Sequence, residues 1–311
     1  IKSSARGIAS DSQNIYVNFE YVGLLKFKKG SPYSWINVSN VLDETPYLGR
    51  AVLYSNNKYY SAHELGIREY NAAIGNYTSL ISSDNPNLSA VWSMYKHQDD
   101  IWVGRAYDLA KWNNLEKKYE AIELRNKAGS VIETGEILQI IAIKSKLVWL
   151  CSSKGLLLVD LNKQQVLVHY SVLGIGNYNL PAQYFYSLHI DKNNIYWLGT
   201  NSGLIRWDKE ANKFRVFNKT DGISNNTIYS VIEDDYGYLW LSSDYGIMRF
   251  NKATNSVATF LEKDGIADNE FNRISAYKAK EGSIYFGGIN GVTSFHPKDF
   301  LSINEENDQK I

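Results

Sequence analysis

The chain has 311 residues, and 33 Lys+Arg balance 33 Asp+Glu, so the formal net charge is zero. That excludes the basic stripe on which nucleic-acid affinity rests and the polybasic cluster that holds an anionic membrane surface. The single cysteine, Cys151, excludes a disulfide within the chain, and no run of 18 apolar residues reads as a membrane span.

In chain order, one pattern recurs seven times: an apolar strand, a tight turn, and a second apolar strand. The copies are 15–27 (IYVNFEYVGLLKF), 59–70 (YYSAHELGIREY), 101–112 (IWVGRAYDLAKW), 148–160 (VWLCSSKGLLLVD), 196–208 (YWLGTNSGLIRWD), 239–251 (LWLSSDYGIMRFN) and 284–295 (IYFGGINGVTSF). Gly23, Gly66, Asp108, Gly155, Gly203, Gly246 and Gly291 mark the turn, at steps of 43, 42, 47, 48, 43 and 45 residues. A unit of this size cannot bury its own apolar face, so copies must stack. Alternating Tyr, Trp, Ile, Val and Phe suit half-buried pleated strands. Gly and Asn/Asp clusters break the chain about every 8–12 residues, as in all-β proteins. These features predict an all-β, seven-bladed β-propeller with four antiparallel strands per blade. It spans 1–303, and the polar segment 304–311 is a tail or a link to a following domain.

The sixth copy predicts one blade in detail. An inner strand and its turn fill 227–237, a second strand 238–243, a turn 244–246, a third strand 247–251 and an outer strand 256–261. The segment 263–269 (KDGIADN) then crosses to the next blade, as 220–226 (TDGISNN) does one blade earlier and the related 173–181 before that. Asp-Gly supplies the positive φ such a crossing needs, and its Ile plugs the blade interface. In the third copy Asp108 stands where the others have glycine, as a short polar side chain able to adopt a left-handed conformation. An inner strand is expected at 6–10. The last outer strand comes either from 300–304 or from residues before Arg6.

The segment 231–250 (VIEDDYGYLWLSSDYGIMRF), followed by KDGIADNEF, resembles the two-component regulator propeller repeat. That repeat has an inner strand ending in Glu-Asp, then Gly, Leu-Trp-Ile-Gly-Thr, a Gly-Leu turn and an aromatic-Asp. The resemblance is specific over 180–300, and GGINGVTSFHP (287–297) is similar to the repeat that closes such propellers. The first three blades lack the Leu-Trp-Ile-Gly-Thr core. The repeat builds the sensor region of hybrid two-component histidine kinases in polysaccharide-degrading bacteria, which carry two propellers, a membrane helix and a kinase core. The resemblance therefore implies a non-catalytic, membrane-proximal propeller of a periplasmic, homodimeric sensor for an oligosaccharide. Its membrane attachment would lie in flanking segments, and the chain reads as a piece of a larger protein. The alternatives are a glycan-active propeller enzyme and a purely dimerising scaffold.

Glu233-Asp234-Asp235 is the densest acidic cluster, but its slot repeats at Asp191 and at Asp99-Asp100, which marks a turn device. Arg6, Arg50 and Arg273 each stand near the start of an inner strand, a pattern that could clamp a carboxylate. His63, His97, His169, His189 and His296 show no metal spacing, so no metal site and no cofactor is expected. The crossings and the turns between second and third strands share one face in a propeller. There, rings for stacking and amides and carboxylates for paired hydroxyls suit a sugar. The expected ligand set on that face is Tyr21, Tyr107, Tyr178, Asn226, Asp244, Tyr245, Asn272 and Arg273, with Glu64 beside them.

Overall fold

A computed structural model describes residues 3–38, 50–63, 66–81, 89–97, 99–113, 115–144 and 146–301. The fold is a seven-bladed β-propeller. Its seven antiparallel sheets lie at 5–37, 52–81, 91–122, 137–170, 185–217, 228–260 and 271–295, and each runs in chain order from inner to outer strand. The chain forms two compact units. Arg6–Phe185 holds blades one to four; Ile1–Ala5 with Tyr186–Ile311 holds blades five to seven.

The predicted strands of blade six match those observed, at Ile228–Glu233, Tyr238–Ser243, Ile247–Asn251 and Val257–Phe260. The hairpin register follows from the turn: Ile195 faces Asp208 and Thr200 faces Gly203 in blade five. Gly203, at φ +122°, makes the tight turn possible. Thr200 Oγ1 closes it by donating to the Gly203 carbonyl at 2.7 Å, and Ser152 repeats this with Gly155 at 2.8 Å in blade four.

Two departures from expectation have physical reasons. The second strands do not alternate: Ile195–Thr200 and Tyr238–Ser243 are buried on nearly every residue, because a neighbouring blade covers each face. Trp197, Phe217 and Phe250 fill the layer between blades five and six, and Trp240, Phe271 and Phe286 the layer between six and seven. Blade seven has three strands among the described residues, where four were expected. In place of an outer strand, a short 3-10 turn at Pro297–Phe300 brings Phe300 against Trp240, Phe260 and Phe295, with ring centroids 5.1, 5.1 and 5.4 Å away. Arg249 Nη1 fixes that turn by donating to the Phe300 carbonyl at 2.8 Å. The expected tail 304–311 lies outside the described residues, as does Glu64.

The crossings behave as read. Gly222 and Gly265 adopt φ of +93° and +97°, and Ile223 is 2 % exposed in the core between blades five and six. The expectation for Asp108 is corrected: it keeps an ordinary negative φ. Its carboxylate instead takes a bidentate pair from buried Arg105, at 2.6 Å from both Nε and Nη2, which ties the turn to the sheet below it.

Candidate functional site

In blades five to seven, the inner strands Phe185–Ile190, Ile228–Glu233 and Phe271–Lys278 place Tyr186, Tyr229 and Arg273 near their starts. Tyr186 and Tyr229 meet edge to face, 5.2 Å apart at 82°. Tyr229 Oη donates to Asp244 Oδ1 at 2.8 Å across the turn between the second and third strands of blade six. Burial first, then the bond to Asp244 and its charge, push the Tyr229 phenol above its ordinary value, while the Arg273 charge pulls the other way. Tyr229 therefore stays a neutral donor at any physiological pH. Next to Asp244, Tyr245 is half exposed, and its carbonyl accepts from Ser224 Oγ at 2.7 Å. A ring pair, an exposed carboxylate and a guanidinium thus converge within one unit.

The structure gives Asn226 and Asn272 different work from that expected. Asn226 Oδ1 accepts the Lys219 N–H at 3.0 Å and latches the crossing, as Asn269 does with Glu262 one blade on. Asn272 is 6 % exposed, and its Nδ2 donates to Ser4 Oγ and to the Ala5 carbonyl at 3.0 and 2.9 Å. Both amides hold backbone. Tyr186 and Tyr229 were missed by the reading of turns alone. The signal was present as a Tyr-Ser pair at the same offset in two copies, with the serine buried and the tyrosine on the opposite side of the strand.

In blades one to four, Arg6 and Arg50 do come together, but on a carboxylate of this chain. Glu20 Oε1 lies 2.9 Å from Arg6 Nε and 3.5 Å from Arg50 Nη1, and Arg50 also stacks 4.1 Å from the Trp92 ring centroid. A ligand carboxylate would have to displace Glu20, so this is a satisfied ion triad and not an open clamp. Tyr21 and Tyr107 stand at turns of this unit, 71 % and 81 % exposed, and Tyr178 packs its ring 5.7 Å from Tyr170.

The opposite ends of the inner strands of blades five to seven carry the acidic cluster. Asp191 Oδ1 accepts from the N–H groups of Asn193 and Ile195, and Oδ2 from Trp197 Nε1 at 3.0 Å. Asp234 repeats this with Tyr236, Tyr238 and Trp240 Nε1, the last at 2.8 Å. Glu233 meets His189 Nε2 at 2.6 Å and also pairs with Lys252, which reaches Asp191 at 3.2 Å. Burial alone would raise the Glu233 carboxyl; hydrogen bonds from Lys252 and His189 outweigh it and hold the group below the usual range. A glycosidase acid needs the opposite shift and a free proton. These carboxylates anchor turns and bridge blades.

Residues 179–202 and 222–245 match the two component regulator propeller family. These stretches are two-component regulator propeller repeats. No curated protein sequence matches the chain. Among solved structures, the chain is similar to the extracellular domain named for the hybrid two component system BT3049 of B. thetaiotaomicron, at 19 % identity and TM-score 0.75, covering 97 % of this chain and 40 % of that one. The extracellular domain of BT4673 from the same organism is similar at 16 % identity and TM-score 0.69, over 94 % of this chain and 38 % of that one. The computationally designed Ika8 protein shares the fold at 13 % identity and TM-score 0.61, over 95 % and 97 %. The chain spans about two fifths of the length of the two extracellular domains. Each matched stretch contains an Asp–Trp turn at the same six-residue spacing, Asp191–Trp197 and Asp234–Trp240.

Proposed function

We propose that this chain is the ligand-sensing propeller of an extracytoplasmic sensor region in a hybrid two-component system, and that its ligand is an oligosaccharide. The observation that carries this reading is the cluster of Tyr186, Tyr229, Asp244 and Arg273 with half-exposed Tyr245. Rings that stack on the C–H face of a pyranose stand beside a carboxylate and a guanidinium that satisfy paired hydroxyls. The repeat family and the extracellular origin of the similar structures support the sensor assignment. The tightly paired Glu233 and Asp191 favour a non-catalytic role over hydrolysis. Residues 1–303 would form the sensing module in the periplasm, and 304–311 would lead to a following domain.

Signalling follows from differential affinity. The ligand must favour one arrangement of paired protomers over another, or nothing is transmitted. Thermal shift against plant and host oligosaccharides tests the reading. A cognate sugar at about 100 times its Kd stabilises the fold by about 2.7 kcal/mol. A flat response across the panel removes the sugar from the proposal, and turnover of any member removes the non-catalytic role.

A further inference from the structure

The inner strands of blades five and six open on one pattern, and blade seven breaks it. Phe185-Tyr186-Ser187 and Ile228-Tyr229-Ser230 each place a single tyrosine between a buried apolar residue and a buried serine. In blade seven the apolar residue is Phe271 and the serine is Ser275, both buried, but Asn272, Arg273 and Ile274 all stand between them. The second strands fix this alignment: Ser187 faces Gly199 and Ser275 faces Gly287, where an added Cβ would strike each serine Oγ. The inner strand of blade seven is therefore bulged at the tyrosine slot. Its register breaks there, between Phe271 opposite Gly288 and Ala276 opposite Phe286. A bulge re-aims a side chain, and this one brings Arg273 into the slot that Tyr186 and Tyr229 hold in the neighbouring blades.

The bulge is strained and pinned. Ile274 lies at φ +60°, and it is the only β-branched residue at positive φ among the described residues. A branched side chain in the left-handed region persists only where its surroundings over-determine it. Both flanks of the bulge are tied to one carbonyl. Asn272 Nδ2 and Ser275 Oγ each donate to Ala5 O at 2.9 Å, and Asn272 also reaches Ser4 Oγ at 3.0 Å. A strand with only a structural task needs neither the insertion nor the strain, since blades five and six pass from apolar residue to serine without them.

What the slot gains is a charge. The phenol of Tyr186 or Tyr229 suffices for a sugar hydroxyl. A guanidinium is a fixed planar fork that grips a carboxylate through two parallel bonds. Among the slot residues of blades five to seven, Arg273 alone is charged. Its charge reaches the Tyr229 phenol, so it faces the same site, where Asp244 already accepts from that phenol at 2.8 Å. We infer that Arg273 is the specificity-determining residue of the sugar site, that it selects a sugar bearing a carboxylate, a uronic acid, and that Asn272 and Ser275 are the positioning residues that hold it in place. This inference rests on the sugar site proposed above and narrows its ligand.

Titration calorimetry on the 311-residue chain tests it with matched pairs. Oligogalacturonate and oligoglucuronate are each set against their methyl esters, which lose the charge and keep every ring hydroxyl. The acid should bind about tenfold or more tighter than its ester, the gain of one charge-assisted pair. Arg273→Gln should abolish that preference and leave the ester's affinity unchanged. Arg273→Lys keeps the charge but not the fork and should restore part of the preference. Asn272→Ala with Ser275→Ala should also abolish it while the ester still binds, a split that a general loosening of the blade does not give. Ile274→Gly takes φ +60° without strain and should retain the preference. Circular dichroism and Tm certify the folding of each variant, and Arg273→Gln decides alone if the double variant does not fold. Acid and ester bound alike leave the sugar site standing and overturn the inference. An acid preference that survives Arg273→Gln overturns it as well, and one that survives the double variant overturns the positioning role. Chains that bind no sugar, acidic or neutral, remove the site and the inference together.

Discussion

Gly199 shows how one missing methyl group positions a blade. A Cβ there would lie 2.6 Å from Ser187 Oγ and 2.7 Å from the Ile228 carbonyl oxygen on the next inner strand. Gly104 meets Ser93 Oγ and the Ile137 carbonyl at 2.3 and 2.5 Å in the same way, and there Ser93 Oγ donates to Ile137 O at 2.9 Å. At Gly104 the missing Cβ lets neighbouring inner strands approach until serine and carbonyl bond, and Ser275 Oγ beside Gly287 bonds the Ala5 carbonyl at 2.9 Å in the same way. Gly199→Ala should cost about 1–3 kcal/mol in urea denaturation through overpacking against backbone. Gly237→Ala, at φ +94° with no atom within 4 Å, should cost only the left-handed penalty of about 1–2 kcal/mol. At the same scale, Asp191 and Glu233 titrate below their ordinary 3.8 and 4.5 despite burial, because Trp197, backbone N–H groups, Lys252 and His189 bond the charged forms. A lowered folded-state pKa gives stability that is complete above the unfolded value and lost as pH falls through the folded one. Tm should be level from neutrality to about pH 5 and fall below about pH 4, and Glu233→Gln should blunt the fall. A Tm that rises on acidification would contradict these pairings.

In blades five and six the turn after the inner strand is built by one residue. One aspartate caps two backbone N–H groups and holds the indole six residues on, so turn and core are fixed by the same carboxylate. Asp234→Ala leaves Trp240 Nε1 and two N–H groups without an acceptor; about 2–4 kcal/mol should be lost in chemical denaturation, the range expected for bonds to a buried charge. Trp240→Phe should cost less, because the ring contacts with Phe295 and Phe300 persist. Elements of this kind were legible in sequence wherever a local rule decides them. Gly23, Gly155, Gly203, Gly246 and Gly291 all sit in hairpin turns at positive φ. Asp108 escaped because its partner Arg105 solves the turn by a side-chain pair that residue type alone does not announce. In blade seven, among the described residues, Phe300 packs its ring against Trp240, a contact between blades that no strand pattern announces. Asn272 looked like a turn residue, yet its role depends on Ala5, 267 residues away, which no local pattern encodes.

On the scale of the whole molecule, repetition builds the scaffold. The Asp–Trp turns of blades five and six and the Gly222-Ile223 and Gly265-Ile266 crossings repeat between neighbouring copies and were readable at the period of the repeat. Tyr229 is only partly buried and bonds the exposed Asp244. The ligand set expected from sequence shares Asp244, Tyr245 and Arg273 with the proposed sugar site, while the tyrosine pair beneath them enters only through the geometry. Titration calorimetry of the folded chain with the oligosaccharide that gives the largest thermal shift is the most direct test. Asp244→Ala and Tyr229→Phe should each weaken binding about tenfold, the loss of one or two bonds, while Tyr21→Ala, in the other unit, leaves it unchanged. Affinity that is indifferent to Asp244 and Tyr229, or lost with Tyr21 instead, would place the sugar elsewhere and refute the site.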